Sequence, residues 1–262
     1  MSNLAMKTII LAGGWGTRLG HHTKKIPKPM VQIGNRPMLW HIMKYYSCFG
    51  HKDFIVSCGV KSEVIKKYFY DYEINMQDYF KDFSTGHTTI LNNKLDIDWR
   101  VSVVDTGIHA LKGARIKKLE KLLDGPTHMV TYGDGLSDIN VAELVDFHNK
   151  HKKTITISGV KPPSRFGEII EKNSKVLSFE EKPQVSVGLI NGGFMVFNKN
   201  LLEYLTDDDH CDFEFNALEK LSAVGEVMVY KHQGNWSCVD HERHLVHLNK
   251  IWNENQAFWK IW

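Results

Sequence analysis

Along the chain, short β-branched runs alternate with stretches of helical spacing. Lys7-Thr8-Ile9-Ile10-Leu11 is strand-like and stops abruptly at Ala12-Gly13-Gly14-Trp15-Gly16-Thr17-Arg18, the pattern of a strand followed by a glycine loop. After Pro37, apolar residues at Met38, Leu39, Ile42, Met43 and Tyr46 keep the helical period, and Asp53 to Cys58 is again a strand. The alternation continues with a helix over Glu63 to Phe69, a strand over Trp99 to Val104, a helix over Ile116 to Leu123 and a strand over His128 to Tyr132. Strand and helix in regular succession predict an α/β fold, a mainly parallel sheet with helices on both faces.

The second half is richer in strand. Asp138-Ile139-Asn140 opens a helix to about Lys150, with Asp138 as its expected cap. Strands follow at Thr154 to Val160, Glu168 to Glu171, Val176 to Phe179, Gly193 to Phe197 and Glu226 to Tyr230, and helices at Leu201 to Tyr204, Phe213 to Ala223 and Arg243 to Trp252. The polar stretch Asp82 to Asn93 has no clear period and reads as a mobile excursion. No repeat, low-complexity tract or linker divides the sequence, so one domain is expected from Met6 to Trp262, with Met1 to Ala5 as a short extension.

Composition narrows the function. Hydrophobic residues at 42% and charged residues at 24% of 262 belong to an ordinary folded protein. A net charge of +3, spread evenly, argues against nucleic acid or an anionic membrane as partner. Apolar runs are strand-sized and no signal-peptide core is present, so a cytoplasmic location is expected. Cys48, Cys58, Cys211 and Cys238 form no C-x-x-C pair and read as buried or half-buried filler. The histidine clusters His21-His22, His148-His151 and His241-His244 lack metal-helix spacing and read as helix ends or surface. No serine sits in a nucleophile elbow.

What remains points to phosphate chemistry. Gly13, Gly14 and Gly16 let the backbone turn its N–H groups inward without a Cβ in the way, which makes an anion cradle. The cradle lacks the Walker Gly-Lys-Ser/Thr ending. Arg18, and Lys28 between Pro27 and Pro29, add two cations near the same strand end. Tyr132-Gly133-Asp134-Gly135 puts a carboxylate at another strand end, where Mg²⁺ is held beside substrate phosphates. The Glu180-Glu181-Lys182-Pro183 and Asn191-Gly192-Gly193 turns offer a carboxylate, an ammonium and an amide, suited to a polyhydroxylated phosphate ester.

Leu11 to Arg18 and Pro27-Lys28-Pro29-Met30 together resemble the signature of the sugar-phosphate nucleotidyltransferases. The likeness extends through Leu39-Trp40-His41-Ile42-Met43-Lys44, Val104-Asp105-Thr106-Gly107, Thr131 to Gly135, Arg165-Phe166-Gly167, Glu181-Lys182-Pro183 and Ile190 to Phe194, and covers nearly the whole chain. The resemblance implies a Rossmann-like three-layer fold with a mixed, mainly parallel sheet and a strand-rich C-terminal elaboration. It implies transfer of a cytidylyl group from CTP to a sugar 1-phosphate, glucose 1-phosphate above all, with Mg²⁺ as cofactor and with self-association. Carried over by position, Gly14, Gly16, Thr17 and Arg18 hold the triphosphate, with Leu11, Ala12, Gly13 and Gly133 around the nucleotide, and Lys28 meets the phosphate under attack. Thr106 and Gly107, with Arg115 nearby, line the cytosine side. Asp134 and Asp240 hold Mg²⁺, and Gly167, Glu181, Lys182 and Asn191 face the sugar phosphate. Ser237-Cys238-Val239-Asp240-His241 and Phe213 to Leu218 depart from the family pattern around their acidic residues. Another acceptor or nucleotide, and a catalytically silent nucleotide-sugar sensor, stay open as alternatives.

Overall fold

The computed structural model describes residues 6–92, 95, 97–162, 168–172, 174–180 and 188–262. Seven strands form the central sheet: β1 (Thr8–Leu11), β2 (Asp53–Cys58), β3 (Arg100–Asp105), β4 (Thr127–Tyr132), β5 (Ile155–Val160), β6 (Ile190–Asn198) and β7 (Val227–Lys231). Their spatial order is β7-β5-β6-β4-β1-β2-β3. Only β6 runs antiparallel to its neighbours; β1, β2, β3 and β4 are mutually parallel, as are β5 and β7.

Side chains alternate across a strand, so the short apolar runs feed two cores. Ile10, Val56, Met129 and Val196 face one side, where they meet helix α1 (Met38–Cys48) and two later helices. Ile9, Leu11, Ile55, Val130 and Phe197 face the other, against Ala114, Leu201, Phe213 and Leu221. The three-layer fold follows from that alternation. Helix α2 (Ser62–Tyr70) crosses over from β2, and α3 (Lys112–Lys118), α4 (Val141–His151) and α5 (Glu242–Asn253) complete the helices used below.

Topology places the site. The chain leaves β1 toward β2 and β3 on one side and returns as β4 on the other, with Leu11 in register with both Ser57 and Tyr132. A crevice opens at such a switch point, beyond the carboxyl ends of the strands.

The structure corrects several local expectations. The helix expected over Ile116 to Leu123 starts earlier, at Lys112, because Leu111 N–H bonds Asp209 O and Ala114 N–H bonds Cys211 O; a 3₁₀ turn at Glu120–Leu122 ends it. Asp138 is not a helix cap. Asn140 caps α4 by accepting from Glu143 N–H, while Asp138 accepts from His232 and from the backbone and side chain of Asn235. Where no period was visible after Asp82, the chain forms a turn and a strand: Tyr79–Lys81 pairs with Thr88–Ile90, and the Asp82 carboxylate accepts from Ser84 and Thr85, whose hydrogen bonds pull its pKa to about 2. Asn93 lies outside the described residues. Cys48 is exposed rather than buried, at the outer end of α1.

The aromatic C-terminus belongs to the core edge. Trp259 is fully buried, and its indole N–H donates to His41 Nδ1 at 3.3 Å, while His41 Nε2 lies 2.9 Å from Ile33 O. Burial holds the His41 pKa at about 4, below its ordinary 6.5. Between those values the unfolded chain takes up a proton that the native state refuses, so stability is full above pH 6.5 and falls as pH drops toward 4, by at most about 3 kcal/mol. In urea unfolding at a series of pH values, His41→Gln should show a lower plateau and a shallower slope across this window. Equal slopes in parent and variant would contradict this assignment.

Candidate active site at the ends of two parallel strands

The loop after β1 is shaped by what presses on it. Gly16 has φ +64°, and a Cβ there would meet Lys28 and Thr23 carbons at 3.2 Å, so only glycine fits without strain. Thr23 Oγ1 donates to Gly16 O at 2.9 Å and fastens the turn. At Gly13 the constraint is a guanidinium: a Cβ would fall 2.2 Å from Arg115 Nη1. Arg115 reaches from α3 under the loop and donates to Gly13 O (3.0 Å), Cys58 O (2.8 Å) and Thr106 Oγ1 (2.7 Å). It thus ties together the ends of β1, β2 and β3. Its burial lowers its pKa, opposed by the nearby Asp105 carboxylate.

Lys28 stands opposite, in a 3₁₀ turn (Lys28–Met30) that begins after Pro27. Its ammonium lies 2.5 Å from Asp134 Oδ2 and 2.8 Å from Asp240 Oδ1, and Arg18 Nη1 lies 3.1 Å from Asp240 Oδ2. Asp134 follows the end of β4, where Gly133 N–H donates to Leu11 O at 3.0 Å. Asp240 arrives from far along the sequence because Trp236–Cys238 pairs antiparallel with Gly135–Ser137, and Val239 N–H continues the ladder to Asp134 O. Burial opposes the charge on Lys28, but the two carboxylates outweigh it and raise its pKa. Asp240 is held below the usual carboxylate range despite its own burial, chiefly by Lys28. Cys238 Sγ lies 3.7 Å from Asp240 Oδ2; burial and the two aspartates push its thiol up to about 12, so it stays protonated near neutrality.

Two cavities meet here. One, of about 380 Å³, has apolar walls from Leu11, Ala12, Pro29, Ile108, Ala110 and Leu111 and polar edges from Gly13, Lys112, Arg115 and Gly133. The other, of about 290 Å³, is lined by Gly14, Gly16, Thr17, Arg18, Lys28, Asp134 and Asp240. Gly14, Trp15, Lys28 and Asp134 are common to both. A flat, largely apolar ring suits the first, and a chain of phosphates the second.

Most residues singled out by sequence therefore converge. Thr106 and Gly107 do not line either cavity: Thr106 is buried behind Arg115 with its hydroxyl on Cys58 O, and Gly107 N–H donates to Asp105 at 3.0 Å. Asn191 is set back, its amide donating to Tyr132 OH at 3.2 Å. Gly167, Glu181 and Lys182 lie outside the described residues. Sequence reasoning gave no role to Trp15, 57% exposed at the mouth, or to Lys112, Tyr132 and Glu214. The Tyr132 hydroxyl donates to Glu214 Oε1 at 2.8 Å, and Lys112 pairs with the same carboxylate. Glu214 sits in a π-turn (Phe213–Leu218), a feature found often at functional sites. The departure of Phe213 to Leu218 from the family pattern was its one visible signal.

A glycine loop, two cations and two convergent carboxylates at a Rossmann-like switch point are what a nucleotidyltransferase requires. The chain belongs to the nucleotidyl transferase family, which it matches over residues 7–252. Within that family it is 41% identical over 258 residues to the glucose-1-phosphate cytidylyltransferase of Salmonella typhimurium, covering 98% of this chain and 100% of that one. It is 30% identical to a mannose-1-phosphate guanyltransferase of Yarrowia lipolytica, over 89% of this chain and 60% of that one. Among solved structures, HddC from Yersinia pseudotuberculosis shares the fold at 23% identity and TM-score 0.67, covering 94% and 99% of the two chains. A UDP-glucose pyrophosphorylase complexed with UDP-glucose does so at 16% identity and TM-score 0.68, covering 96% and 100%. Among the described residues no helix is long and apolar enough to cross a membrane.

Proposed function

We propose that this chain transfers a cytidylyl group from CTP to glucose 1-phosphate, forming CDP-glucose and releasing pyrophosphate. The observation that carries the reading is the convergence of Arg18 and Lys28 on Asp134 and Asp240 beside the glycine loop. A protein that only senses nucleotide sugars has no use for both carboxylates. The choice of cytosine and glucose rests on the 41% identity to the Salmonella enzyme.

The two aspartates fit a divalent ion. Each turns one oxygen onto the same ammonium within 2.8 Å, so the pair already surrounds a cation. Hard oxygen donors of this kind suit Mg²⁺, which keeps waters and takes its remaining ligands from substrate phosphates. When bound, the ion supplies charge neutralisation between two phosphate-rich substrates.

The chain's own residues do the rest. A sugar phosphate is a dianion near neutral pH, so its oxygen attacks the α-phosphorus without a general base. The bond from that phosphorus to the bridging oxygen breaks, and pyrophosphate leaves. Catalysis is alignment and charge stabilisation. Gly14, Gly16 and Thr17 cradle the triphosphate, Arg18 and Lys28 turn from the carboxylates to the phosphates, and Arg115 sets the loop by its bond to Gly13 O. Thr106 acts through Arg115, and the apolar cavity receives the base. For the sugar phosphate the family likeness assigns Asn191, steadied by Tyr132, with Gly167, Glu181 and Lys182.

With Mg²⁺ present, pyrophosphate release should require CTP and glucose 1-phosphate together, with CDP-glucose as the product by chromatography. CTP consumed equally fast without an acceptor would overturn the transferase reading. A different sugar 1-phosphate turned over faster would move the acceptor.

A further inference from the structure

The turn that carries Arg18 continues into a pair of adjacent histidines. Gly20, at φ 55° and ψ −118°, breaks the Thr17–Thr23 segment between them, so that Arg18 lines the cleft while His22 reaches the first turn of α5. There His22 Nε2 lies 3.3 Å from Glu242 Oε1, across 220 residues of sequence. The His21 ring lies against His22, with centroids 3.9 Å apart. One ligand atom from each of His21, His22 and Glu242 falls within 4.8 Å of the others, and no other trio of His, Cys, Asp or Glu among the described residues does so.

We propose that His21, His22 and Glu242 form a second metal site, separate from the two aspartates, for a transition ion of the Zn²⁺ type. Two ligands bonded to a tetrahedral Zn²⁺ at about 2.0–2.1 Å stand about 3.3 Å apart, the separation that His22 and Glu242 already have. The His21 ring, which lies against that of His22, must turn to bring a nitrogen onto the ion. Two imidazoles and one carboxylate make the donor set of open zinc sites, which complete the tetrahedron with water. Imidazole nitrogen selects zinc, copper or nickel over Mg²⁺. His22 is about a third exposed and Glu242 more so, which leaves an entry path and room for that water.

The site's place gives it a consequence. Glu242 follows Asp240 by two residues, and Asp240 is paired with Arg18 at 3.1 Å. An ion held by the trio joins the same two segments from outside the cleft and fixes the nucleotide loop to α5. It is a clamp between the turn that carries Arg18 and α5. Cytidylyl transfer need not occur for this site to exist, so its test uses no substrate.

Untagged, metal-free protein is titrated with Co²⁺ in excess Mg²⁺, which competes for any site built of oxygen ligands alone. The parent should develop the visible band of tetrahedral Co²⁺ at one equivalent. Binding should weaken more than about tenfold in His22→Ala and in Glu242→Gln, since even outer-shell partners of a metal are worth 10–100-fold. Asp134→Asn should retain the band. Zn²⁺ should raise the melting temperature of the parent and leave that of Glu242→Gln, an exposed substitution, unmoved. No tetrahedral band, a band that survives both substitutions at the trio, or a band lost in Asp134→Asn would each overturn the proposal.

Discussion

Replacing Lys28 by glutamine is expected to lower kcat about 10²–10³-fold, the usual effect of removing one pre-aimed charge from a transition state, while tightening Mn²⁺ binding to the free protein. Both effects follow from one position. The ammonium fills the space between Asp134 and Asp240, at 2.5 and 2.8 Å, and is 13% exposed. A divalent ion entering that space without nucleotide must displace it. If, as proposed above, a triphosphate gives Lys28 another partner, it releases the carboxylates, and metal and nucleotide should then bind together. In Lys28→Gln no cation competes, and Mn²⁺ titrated without nucleotide, followed by its electron paramagnetic resonance, should bind at least about tenfold more tightly, as for any lost opposing charge worth about 1.4 kcal/mol or more. Unchanged Mn²⁺ affinity would show that the ammonium does not guard the pair. An unchanged kcat would remove Lys28 from the reaction.

Asp240→Asn should lose at least about a hundredfold in kcat and melt within about 5 °C of the parent. The stability effect is small because Asp240 holds up no helix. The N-cap of α5 is His241, which makes no side-chain capping bond, and the Asp240 side chain is spent on Lys28, Arg18 and Cys238. Asparagine keeps the size and one accepting oxygen, and Lys28 keeps Asp134 as partner. The change costs part of a charged hydrogen bond, about 1–2 kcal/mol. The kinetic effect is large because the lost charge is one of the two that converge on a single cation. Turnover near the parent rate would make Asp240 structural and leave Asp134 without its partner.

The two predictions also mark how far sequence reached. Gly13, Gly16, Arg18 and Lys28 were legible because their chemistry is local: a strand end, glycines that admit a guanidinium or a positive φ, cations a few residues on. Asp134 was legible from its place after a strand. That Asp240 meets it was implied only by family likeness, since the pairing of Trp236–Cys238 with Gly135–Ser137 is a long-range event between two three-residue strands, too short to leave a period. Asp138 was misread as a cap because Asp and Asn serve the role equally in isolation; contact with His232 and Asn235 decided for Asn140. The start of α3 at Lys112, ahead of Gly113, is likewise tertiary, set by Cys211 O. Glu214 and the trio of His21, His22 and Glu242 were out of reach for the same reason, as neither has its partners within one element.

Pyrophosphate release measured with CTP, TTP, ATP and GTP in turn, at saturating Mg²⁺ and glucose 1-phosphate, tests the cytidylyl assignment most directly. CTP should exceed the other three in kcat/KM by about a hundredfold or more, the discrimination available to a site that reads base edges by hydrogen bonds, and release should vanish when glucose 1-phosphate is left out. Equal turnover of CTP and TTP, or release that ignores the acceptor, would contradict it.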